Sequence, residues 1–315
     1  MIISINPWYY CNFRCSFCYL TDSQLSDRKL LDINRLSEML AEVTARQEVT
    51  KVDLYGGELG LLPKDYWNDL INLLTIYGIA DINLVTNLSM VNDITTDPRV
   101  YTSVSFDFGA REEWHKVWRN MALLPKKFSV LMLAGPDLLS KNVDEMVMYF
   151  NTLSNLESVE VKPYSPNQAN AYTIPYTAYE DFVKALIEHP KREFDLTNEY
   201  LIETVLDKSR NSFSDDHVYI TPSGKYGVLE FDLNDNEFFE EYETLDEYFA
   251  WCEKEKARVS KNVFCSNCEY FGHCLSEHLR EVKSIENSCN GFVKLINWYK
   301  NERLENKTRA LSSVE

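Results

Sequence analysis

The hydrophobic pattern in the first half of the chain alternates between two periods. Short apolar runs have the length of buried strands, and the segments between them repeat their apolar residues every three or four positions, as amphipathic helices do. The predicted strands cover residues 2–6, 50–55, 81–86, 100–106, 128–133 and 159–162. The predicted helices cover residues 29–46, 64–77, 110–124 and 143–153. Strand followed by helix, repeated in this way, predicts an α/β fold with a parallel sheet and right-handed crossovers.

The pattern changes after about residue 170. Helical spacing returns in residues 177–187 and 198–206, and residues 217–231 alternate around a Pro-Ser-Gly turn, which is typical of a β-hairpin. Residues 232–256 then hold ten acidic side chains and two lysines between aromatic residues. We expect this stretch to form an acidic amphipathic helix, and the less favoured alternative is a face on which a partner docks.

Composition and charge narrow the class of protein. The chain has 315 residues, of which 45% are hydrophobic and 26% are charged, as in an ordinary globular protein. Its 32 basic and 49 acidic side chains give a net charge of −17. This charge disfavours nucleic acid as a partner, because non-specific binding needs a cationic surface. Since no apolar run has the length of a signal-peptide core or a membrane span, we expect a cytoplasmic protein without a membrane partner.

Three cysteines, Cys11, Cys15 and Cys18, follow the first predicted strand in the spacing C-x3-C-x2-C. In a cytoplasmic chain such a group indicates metal or redox chemistry rather than disulfides. Three thiolates can each bind one iron of a [4Fe–4S] cluster, which leaves the fourth iron open for a ligand. A structural zinc ion needs a fourth nitrogen or sulfur ligand, and the next candidate along the chain is His115. The alternative is that three buried cysteines are close by chance.

This run, with the aromatic Phe17 before its third cysteine, resembles the cluster motif of the radical S-adenosylmethionine (SAM) enzymes. The resemblance implies a partial (β/α)6 barrel whose SAM-binding [4Fe–4S] cluster lies on the loop after the first strand. It also implies that the open iron binds the amino and carboxylate groups of SAM. In that family, one electron from the cluster cleaves SAM to a 5′-deoxyadenosyl radical, which abstracts hydrogen from the substrate.

The tripeptide Gly56-Gly57-Glu58 follows the second predicted strand and is similar to the GGE motif of the same family, although Leu59 stands where the family usually has proline. Glycines let a backbone approach a ligand closely, and an acid accepts a hydrogen bond from an ammonium group. The resemblance therefore implies that this segment holds the amino group of SAM. Further contacts with SAM or the substrate are implied at the ends of later strands, at Thr86, Asn87, Ser105, Asp107 and Lys162.

Some of these expectations have a structural alternative. Ser105 and Asp107, expected against the ribose and carboxylate of SAM, also fit a strand-end polar pair or a helix N-cap. Leu131 or Leu133 of the fifth strand is expected against the adenine ring, and the alternative is that both belong to the core.

A second group of cysteines lies near the C-terminus, at Cys265, Cys268, Cys274 and Cys289. Thiolates at this density bind zinc or an iron–sulfur cluster. The spacing C-x2-C-x5-C after a predicted hairpin resembles the SPASM and twitch domains of radical SAM peptide maturases, but two cysteines of a SPASM domain are absent. The resemblance implies one auxiliary [4Fe–4S] cluster held by these four residues.

Two alternatives for this second group stay open. In one, Cys252 replaces Cys289 as a ligand, although we expect Cys252 to be a packed thiol outside the cluster. In the other, a zinc ion replaces the cluster, with His273 or His278 as a substitute ligand, and the region is a docking module.

The predicted domain organisation follows from the two cysteine groups. Residues 1–170 form the radical SAM partial barrel, residues 171–215 a helical bridge and residues 216–295 a small α+β twitch-like domain. The C-terminal tail, residues 296–315, is polar and is expected to fray from residue 301 onward.

The resemblance implies an enzyme that modifies a ribosomally made precursor peptide, by crosslinking or by backbone excision. Because the chain begins ten residues before Cys11, we expect a separate small peptide-recognition protein as a partner. The most specific form of this hypothesis is a splicease that excises tyramine. A flavodoxin- or ferredoxin-type protein is the expected reductant.

Two other hypotheses differ in class. A radical SAM dehydrogenase, or another enzyme that acts on a small molecule or nucleoside, would use the same cofactors. A non-catalytic metal-binding interaction protein would require both the cysteine loop and the glycine motif to be coincidental.

Overall fold

The computed structural model describes residues 1–111, 113–164, 174–229, 239–275 and 292–312. The described strands form one ten-stranded sheet, in the order β10-β9-β8-β1-β2-β3-β4-β5-β6-β7. They are β1 (Ile2–Ile5), β2 (Lys51–Leu54), β3 (Ile82–Thr86), β4 (Tyr101–Ser105), β5 (Phe128–Leu133), β6 (Leu156–Lys162), β7 (Asp195–Leu196), β8 (His217–Ile220), β9 (Tyr226–Leu229) and β10 (Phe239–Tyr242).

Helices follow most of the strands and cover the sheet. They are α1 (Asp22–Ser26), α2 (Ile33–Thr44), α3 (Lys64–Ile76), α4 (Trp114–Ala122), α5 (Pro136–Leu139), α6 (Val143–Phe150), α7 (Tyr176–Ile187), α8 (Thr197–Leu206), α9 (Leu245–Val259), α10 (Val263–Ser266) and α11 (Phe292–Ser312). Among the residues described here, none of these helices has both the length and the apolar character that crossing a membrane requires.

The sheet confirms the α/β class and the six strands predicted for the first half of the chain. Strands β1 to β6 pair in chain order, and every pair is parallel. Two further parallel strands extend the array, β7 beside β6 and β8 beside β1. Because β9 pairs antiparallel with both β8 and β10, the predicted hairpin is joined to the barrel sheet through β8.

Side chains along the parallel strands alternate between an apolar outer face and a polar inner face. On β1, Ile3 and Ile5 pack into the core beneath the helices. Ser4 points the other way, and its Oγ lies 2.7 Å from Nε2 of His217 on β8. The inner face is the face of the sheet to which Ser4 points.

A ladder of polar side chains crosses the inner face from β2 to β5. Asn83 Nδ2 donates to Asp53 Oδ1 at 2.9 Å, and Ser103 Oγ donates to Asn83 Oδ1 at 2.8 Å. Ser103 Oγ also lies 2.8 Å from Ser129 Oγ. These contacts fix the strand register by polar pairing, because a buried polar group that lacks a partner costs free energy.

The acidic stretch differs from its prediction as one helix. Its described part contains strand β10 and then helix α9, which begins at Leu245. Thr244 caps that helix: Thr244 Oγ1 accepts from the Glu247 N–H at 3.3 Å, and the Glu247 carboxylate accepts from the Thr244 N–H at 3.1 Å. This capping box fixes the start of α9, and the four residues of β10 satisfy their backbone against β9 instead. Residues 232–238 lie outside the described residues.

The C-terminal tail is also more ordered than predicted. Helix α11 continues to Ser312, so the expected fraying is wrong for residues 301–312. Its first turns carry Phe292, Leu295 and Ile296, all buried in the core that surrounds β4 to β6. These apolar contacts anchor the helix, although the average composition of the tail is polar.

Candidate active site

Residues 11–18, which carry Cys11, Cys15 and Cys18, form the cysteine loop. This loop lies at the carboxyl end of β1, where the loops of parallel strands meet. Backbone hydrogen bonds fix its path: the Cys11 N–H donates to the Leu25 carbonyl at 3.1 Å, and the Cys18 N–H donates to the Cys15 carbonyl at 3.0 Å. Phe13 is buried in the core with 7% of its surface exposed, so it anchors the loop between Cys11 and Cys15.

The two glycines at the end of β2 pack directly against this loop. The Gly57 N–H donates to the Trp8 carbonyl at 3.0 Å. A Cβ on Gly57 would lie 2.1 Å from the Tyr10 carbonyl oxygen, and one on Gly56, whose φ is +149°, would lie 2.5 Å from the Trp8 carbonyl oxygen. The space that a side chain would need is therefore filled by the backbone of the chain itself. Glycine is therefore needed at both positions to let the two backbone segments pack together. The sequence had suggested only the other reason, that glycines let the backbone approach a ligand closely.

Glu58 joins the glycine motif to the end of β3. Its carboxylate is 1% exposed. Oε1 accepts hydrogen bonds from the Gly60 N–H and from Thr86 Oγ1, and Oε2 accepts one from the Asn87 N–H, each at 2.6 Å. Burial raises the pKa of Glu58, and the bonds from Thr86, Gly60 and Asn87 oppose the shift. Three predicted site residues, Glu58, Thr86 and Asn87, thus meet at one point. Since a carboxylate has about four acceptor positions, the three donors among the described residues leave one for a further donor.

Asn87 extends this cluster to the cysteine loop. Its Nδ2 lies 3.5 Å from Cys11 Sγ and 3.2 Å from Asn12 Oδ1. The ends of β1, β2 and β3 are therefore connected through side chains as well as backbone.

Asp107 and Arg111 form a buried ion pair beside the same loop. Their side chains are 5% and 3% exposed, and Arg111 Nε donates to Asp107 Oδ2. Arg111 Nη2 lies 3.5 Å from Ser105 Oγ, while Nη1 is buried and has no hydrogen-bond partner among the described residues. The guanidinium carbon lies 5.8 Å from the centre of the Phe17 ring. Ser105, Asp107 and Phe17 were predicted from the sequence, whereas Arg111 was not, because its one signal was its four-residue spacing from Asp107.

The three thiols of the loop lie in an environment that disfavours a bare thiolate. Burial raises the pKa of Cys15 to about 12 and that of Cys18 to about 11, and it also raises the pKa of Cys11. The positive charge of Arg111 lowers all three pKa values, but by less than burial raises them. Buried thiols of this kind suit a metal centre, because a bound metal supplies the charge that makes each ligand a thiolate.

The thiols do not converge on one point. In the described part of the chain, no three His, Cys, Asp or Glu side chains are close enough to share a single metal ion. A cluster differs from an ion in this respect, because each thiolate binds its own iron. The three half-buried thiols on one loop match the donor set of a [4Fe–4S] cluster with one open iron.

The remaining predicted residues lie on the inner face of the neighbouring strands. Ser105 is opposite Leu131, and Leu133 is opposite Lys162 in the parallel register of β4, β5 and β6. Lys162 Nζ lies 3.7 Å from Glu160 Oε1. Leu131 and Leu133 are half-buried and alternate with the core residues of β5, so they face the inner side, and their contact with the adenine ring stays a prediction.

The second cysteine group is held by the segment before β8. Cys265 and Cys274 pack with Phe213 in a small cluster. The Cys274 carbonyl accepts hydrogen bonds from Ser212 Oγ at 2.6 Å and Arg210 Nε at 3.1 Å. Cys268 packs against the main core. Cys289 and His278, the other two ligands considered for this site, lie outside the described residues.

Cys252 packs in a different cluster of core residues. It is buried on α9 with Leu245 and Tyr248, whereas Cys265 and Cys274 pack in the cluster that contains Val259 and Phe213. That Cys252 is a packed residue outside the ligand set stays a prediction.

Comparison with known proteins finds solved structures with a similar fold and a curated relative that matches part of the chain. No family model matches the chain. The GTP 3′,8-cyclase of Gloeobacter violaceus is 29% identical over 42% of this chain. The chain spans half (50%) of the length of that curated relative.

Several solved structures are similar over most of their length. Native anSMEcpe with bound AdoMet has a TM-score of 0.74 at 16% identity and covers 98% of this chain and 99% of its own. The same protein with bound AdoMet and Cp18Cys peptide has a TM-score of 0.72 at 15% identity, covering 99% of this chain and 100% of its own. SuiB of Streptococcus suis bound to the precursor peptide SuiA has a TM-score of 0.63 at 16% identity. It covers 91% of this chain and 74% of its own. These similarities show a shared fold.

Proposed function

We propose that this chain, which has the fold of the radical SAM enzymes, also carries out their chemistry. The observation that carries the proposal is the packing of Gly57 and Glu58 against the cysteine loop. It brings three thiols, a buried carboxylate and a buried guanidinium to the carboxyl edge of one parallel sheet. When bound, the cluster and SAM supply the 5′-deoxyadenosyl radical that abstracts hydrogen from the substrate.

The residues of the chain have distinct roles in this proposal. Cys11, Cys15 and Cys18 hold the [4Fe–4S] cluster. Arg111 offers the carboxylate of SAM a charged donor, because its Nη1 is buried without a partner among the described residues. Glu58 is a positioning residue for the ends of β2 and β3, and its open acceptor position suits the ammonium group of SAM.

The ribose and adenine of SAM would bind further along the same edge. Ser105 and Asp107 lie beside Arg111 and suit the hydroxyl groups of the ribose. Leu131 and Leu133 offer apolar surface to the adenine ring, and Lys162 is adjacent to Leu133. The neighbouring structures with bound AdoMet support this use of the fold.

We assign an auxiliary [4Fe–4S] cluster to Cys265, Cys268, Cys274 and Cys289. The hydrogen bonds from Ser212 and Arg210 to the Cys274 carbonyl support a rigid site. An auxiliary cluster held there would take up the electron that the substrate radical loses when it is oxidised to product. Loss of Cys265 and Cys268 with unchanged iron content and peptide modification would contradict this assignment.

The substrate class that we favour is a ribosomally made precursor peptide. Two of the similar structures contain a bound peptide, the Cp18Cys peptide in one and the precursor peptide SuiA in the other. The modification would be a crosslink or a backbone excision, with excision of tyramine as the most specific form. A separate small peptide-recognition protein and a flavodoxin- or ferredoxin-type reductant in the cytoplasm complete the proposal.

The test of this substrate class is coexpression with candidate precursor peptides, followed by mass spectrometry. A mass change that disappears in Cys15→Ala is the expected result. Wild-type protein that cleaves SAM but modifies no peptide, and instead modifies a nucleotide, would contradict it.

One observation favours a second candidate function. The partial sequence match to a GTP 3′,8-cyclase points to a nucleotide or another small molecule as substrate, with the same cofactors. Incubation of the reconstituted protein with GTP and SAM distinguishes this candidate, because a GTP-derived product would form without any peptide.

A further inference from the structure

A cluster of tyrosines lies around the neighbouring strands β8, β1 and β2, whereas Arg111 follows β4. Tyr9 and Tyr19 flank the cysteine loop, Tyr55 follows β2, and all three pack around Tyr219 of β8. The Tyr55 and Tyr219 rings are 6.3 Å apart in an edge-to-face arrangement. The His217 ring stacks on Tyr219 at 4.6 Å. The SAM site proposed above uses none of these rings.

Asn6 lies between these strands, directly after β1. Its N–H donates to the Ile220 carbonyl of β8 at 2.9 Å, and on the other side the N–H of Tyr55, which follows β2, donates to the Ile5 carbonyl at 3.0 Å. Because side chains alternate along a strand, Asn6 shares the inner face with Ser4, whose partner in the register is Tyr219. A Cβ on Gly56 would lie 3.1 Å from Asn6 Oδ1, so the carboxamide packs beside the glycine motif.

The carboxamide of Asn6 is buried and unsatisfied. The residue is 0% exposed, and neither Nδ2 nor Oδ1 has a hydrogen-bond partner among the described residues. Most buried polar atoms in proteins do have a partner. Asn83, a second buried asparagine of the inner face, shows the usual case, with partners on both Asp53 and Ser103. Asn6 therefore holds one donor group and one acceptor group that a ligand can satisfy.

We propose that Asn6 and the four tyrosines form a substrate subsite that binds one main-chain amide of a peptide and the aromatic side chain next to it. This inference rests on the proposed peptide-modifying function and names how its substrate is held. A carboxamide offers one N–H donor and one C=O acceptor, the complement of a peptide unit. Tyrosine rings pack edge-to-face with another aromatic ring.

The charge of the two sides separates this subsite from the SAM site. SAM carries a carboxylate group, which suits the buried guanidinium of Arg111, and an ammonium group, which suits the carboxylate of Glu58. The Asn6 side offers a neutral carboxamide and phenol rings, which suit an uncharged peptide unit. The two ligands would then be neighbours, because the Asn6 carboxamide packs beside Gly56 of the glycine motif.

Entry to this subsite requires a local movement, because Asn6 is fully enclosed. Tyr9, Tyr19 and Tyr55 are half-buried, so we expect a peptide to approach from the side of these rings. Since Tyr9 and Tyr19 flank the cysteine loop, binding of the peptide would also rearrange the surroundings of the cluster.

The test compares Asn6→Leu with Asn83→Leu in the reconstituted full chain. The probe is N-acetyl-phenylalanine N-methylamide, in which the two peptide units are the only polar groups, and its Kd is measured by saturation-transfer NMR. We expect Asn6→Leu to raise the Kd about tenfold or more. We also expect its Tm without the probe to equal or exceed that of the wild type, because no internal hydrogen bond is lost. Asn83→Leu should lower the Tm and leave the Kd unchanged.

Three results would overturn the proposal. The wild type does not bind the probe, the probe binds Asn6→Leu as tightly as the wild type, or Asn6→Leu lowers the Tm as much as Asn83→Leu does. The last result would mean that an internal water or another internal contact satisfies Asn6. Formation of 5′-deoxyadenosine by the wild type is measured separately, so a failure of the radical chemistry is distinguishable from a failure of the subsite.

Discussion

Asp107 and Arg111 form a buried ion pair, with side chains 5% and 3% exposed, beside the cysteine loop. The pair leaves one guanidinium nitrogen, Nη1, without a hydrogen-bond partner among the described residues. A buried charge pair is costly to break, since removing one partner leaves the other charge unpaired in a medium of low polarity. The arrangement therefore combines a structural role with an open donor for an anionic ligand.

The first prediction separates these two roles. Arg111→Ala should lower the free energy of unfolding by about 3–5 kcal/mol, because Asp107 stays buried without its partner. Urea unfolding measures this loss. The double variant Asp107→Leu/Arg111→Met removes both charges and should regain most of the stability, yet its Kd for SAM should remain at least about tenfold higher than that of the wild type. A double variant that binds SAM normally would show that the pair is structural only.

The second prediction concerns the contact between the glycine motif and the cysteine loop. Gly57→Ala would place a Cβ 2.1 Å from the Tyr10 carbonyl oxygen. Because backbone atoms form this contact, it is not relieved by rotating a side chain, and we expect a loss of more than about 3 kcal/mol together with a lower iron content. Gly135→Ala is the matched control, since its nearest atom is 3.9 Å away. Equal stability of the two variants would contradict the packing described here.

The third prediction is a pH dependence of stability away from the site. Burial raises the pKa of Asp97, but hydrogen bonds from Arg99 and Trp67 outweigh it and hold the pKa at about 2, below the ordinary 3.8. A lowered pKa stabilises the folded chain at pH values above 3.8, and this contribution is lost as the pH falls to about 2. Asp97→Asn should therefore cost about 2 kcal/mol at pH 6.

Urea unfolding at several pH values tests this expectation. The difference between wild type and Asp97→Asn should shrink between pH 4 and pH 2. Asp93→Asn is the control, because Asp93 is 79% exposed in its pair with Lys64 and its loss should have no measurable effect. A difference that stays constant with pH would contradict the role given to Asp97.

The sequence predicted most of the sheet because one strong signal recurs. Most of the six barrel strands carry buried apolar residues at alternate positions, and the observed strands start and end within three residues of the predicted limits. Adjacent motifs such as Gly56-Gly57-Glu58 were predictable for the same reason, since each directly follows a strand.

The wrong or missing predictions concern residues 239–242, the start of α9 and Arg111. At these positions contacts distant in sequence, or a local signal other than hydrophobic spacing, determine the structure. Residues 239–242 form a strand because β9 lies beside them, and helical spacing of aromatic residues does not reveal that neighbour. The capping box of Thr244 and Glu247 is a local signal that the prediction overlooked. Arg111 was not predicted as a site residue. Its role depends on its burial beside Asp107 and Phe17, and this burial follows from tertiary packing alone.

The fourth prediction distinguishes the cysteines of the C-terminal region. Cys268→Ala should lose about four irons per chain, because one ligand of a [4Fe–4S] cluster is removed. Cys252→Ala is the matched control: it should keep its iron and lose about 1 kcal/mol of stability, since Cys252 is buried in the core with 4% exposed. Loss of iron in Cys252→Ala would instead make Cys252 a ligand.

SAM cleavage by the full chain, after anaerobic reconstitution and reduction with dithionite, tests the proposed radical chemistry directly. We expect about eight irons per chain and formation of 5′-deoxyadenosine, with the nucleoside absent in Cys15→Ala. A wild-type chain that binds its iron and forms no 5′-deoxyadenosine would contradict the proposal that the cysteine loop, the glycine motif and Arg111 constitute a radical SAM site.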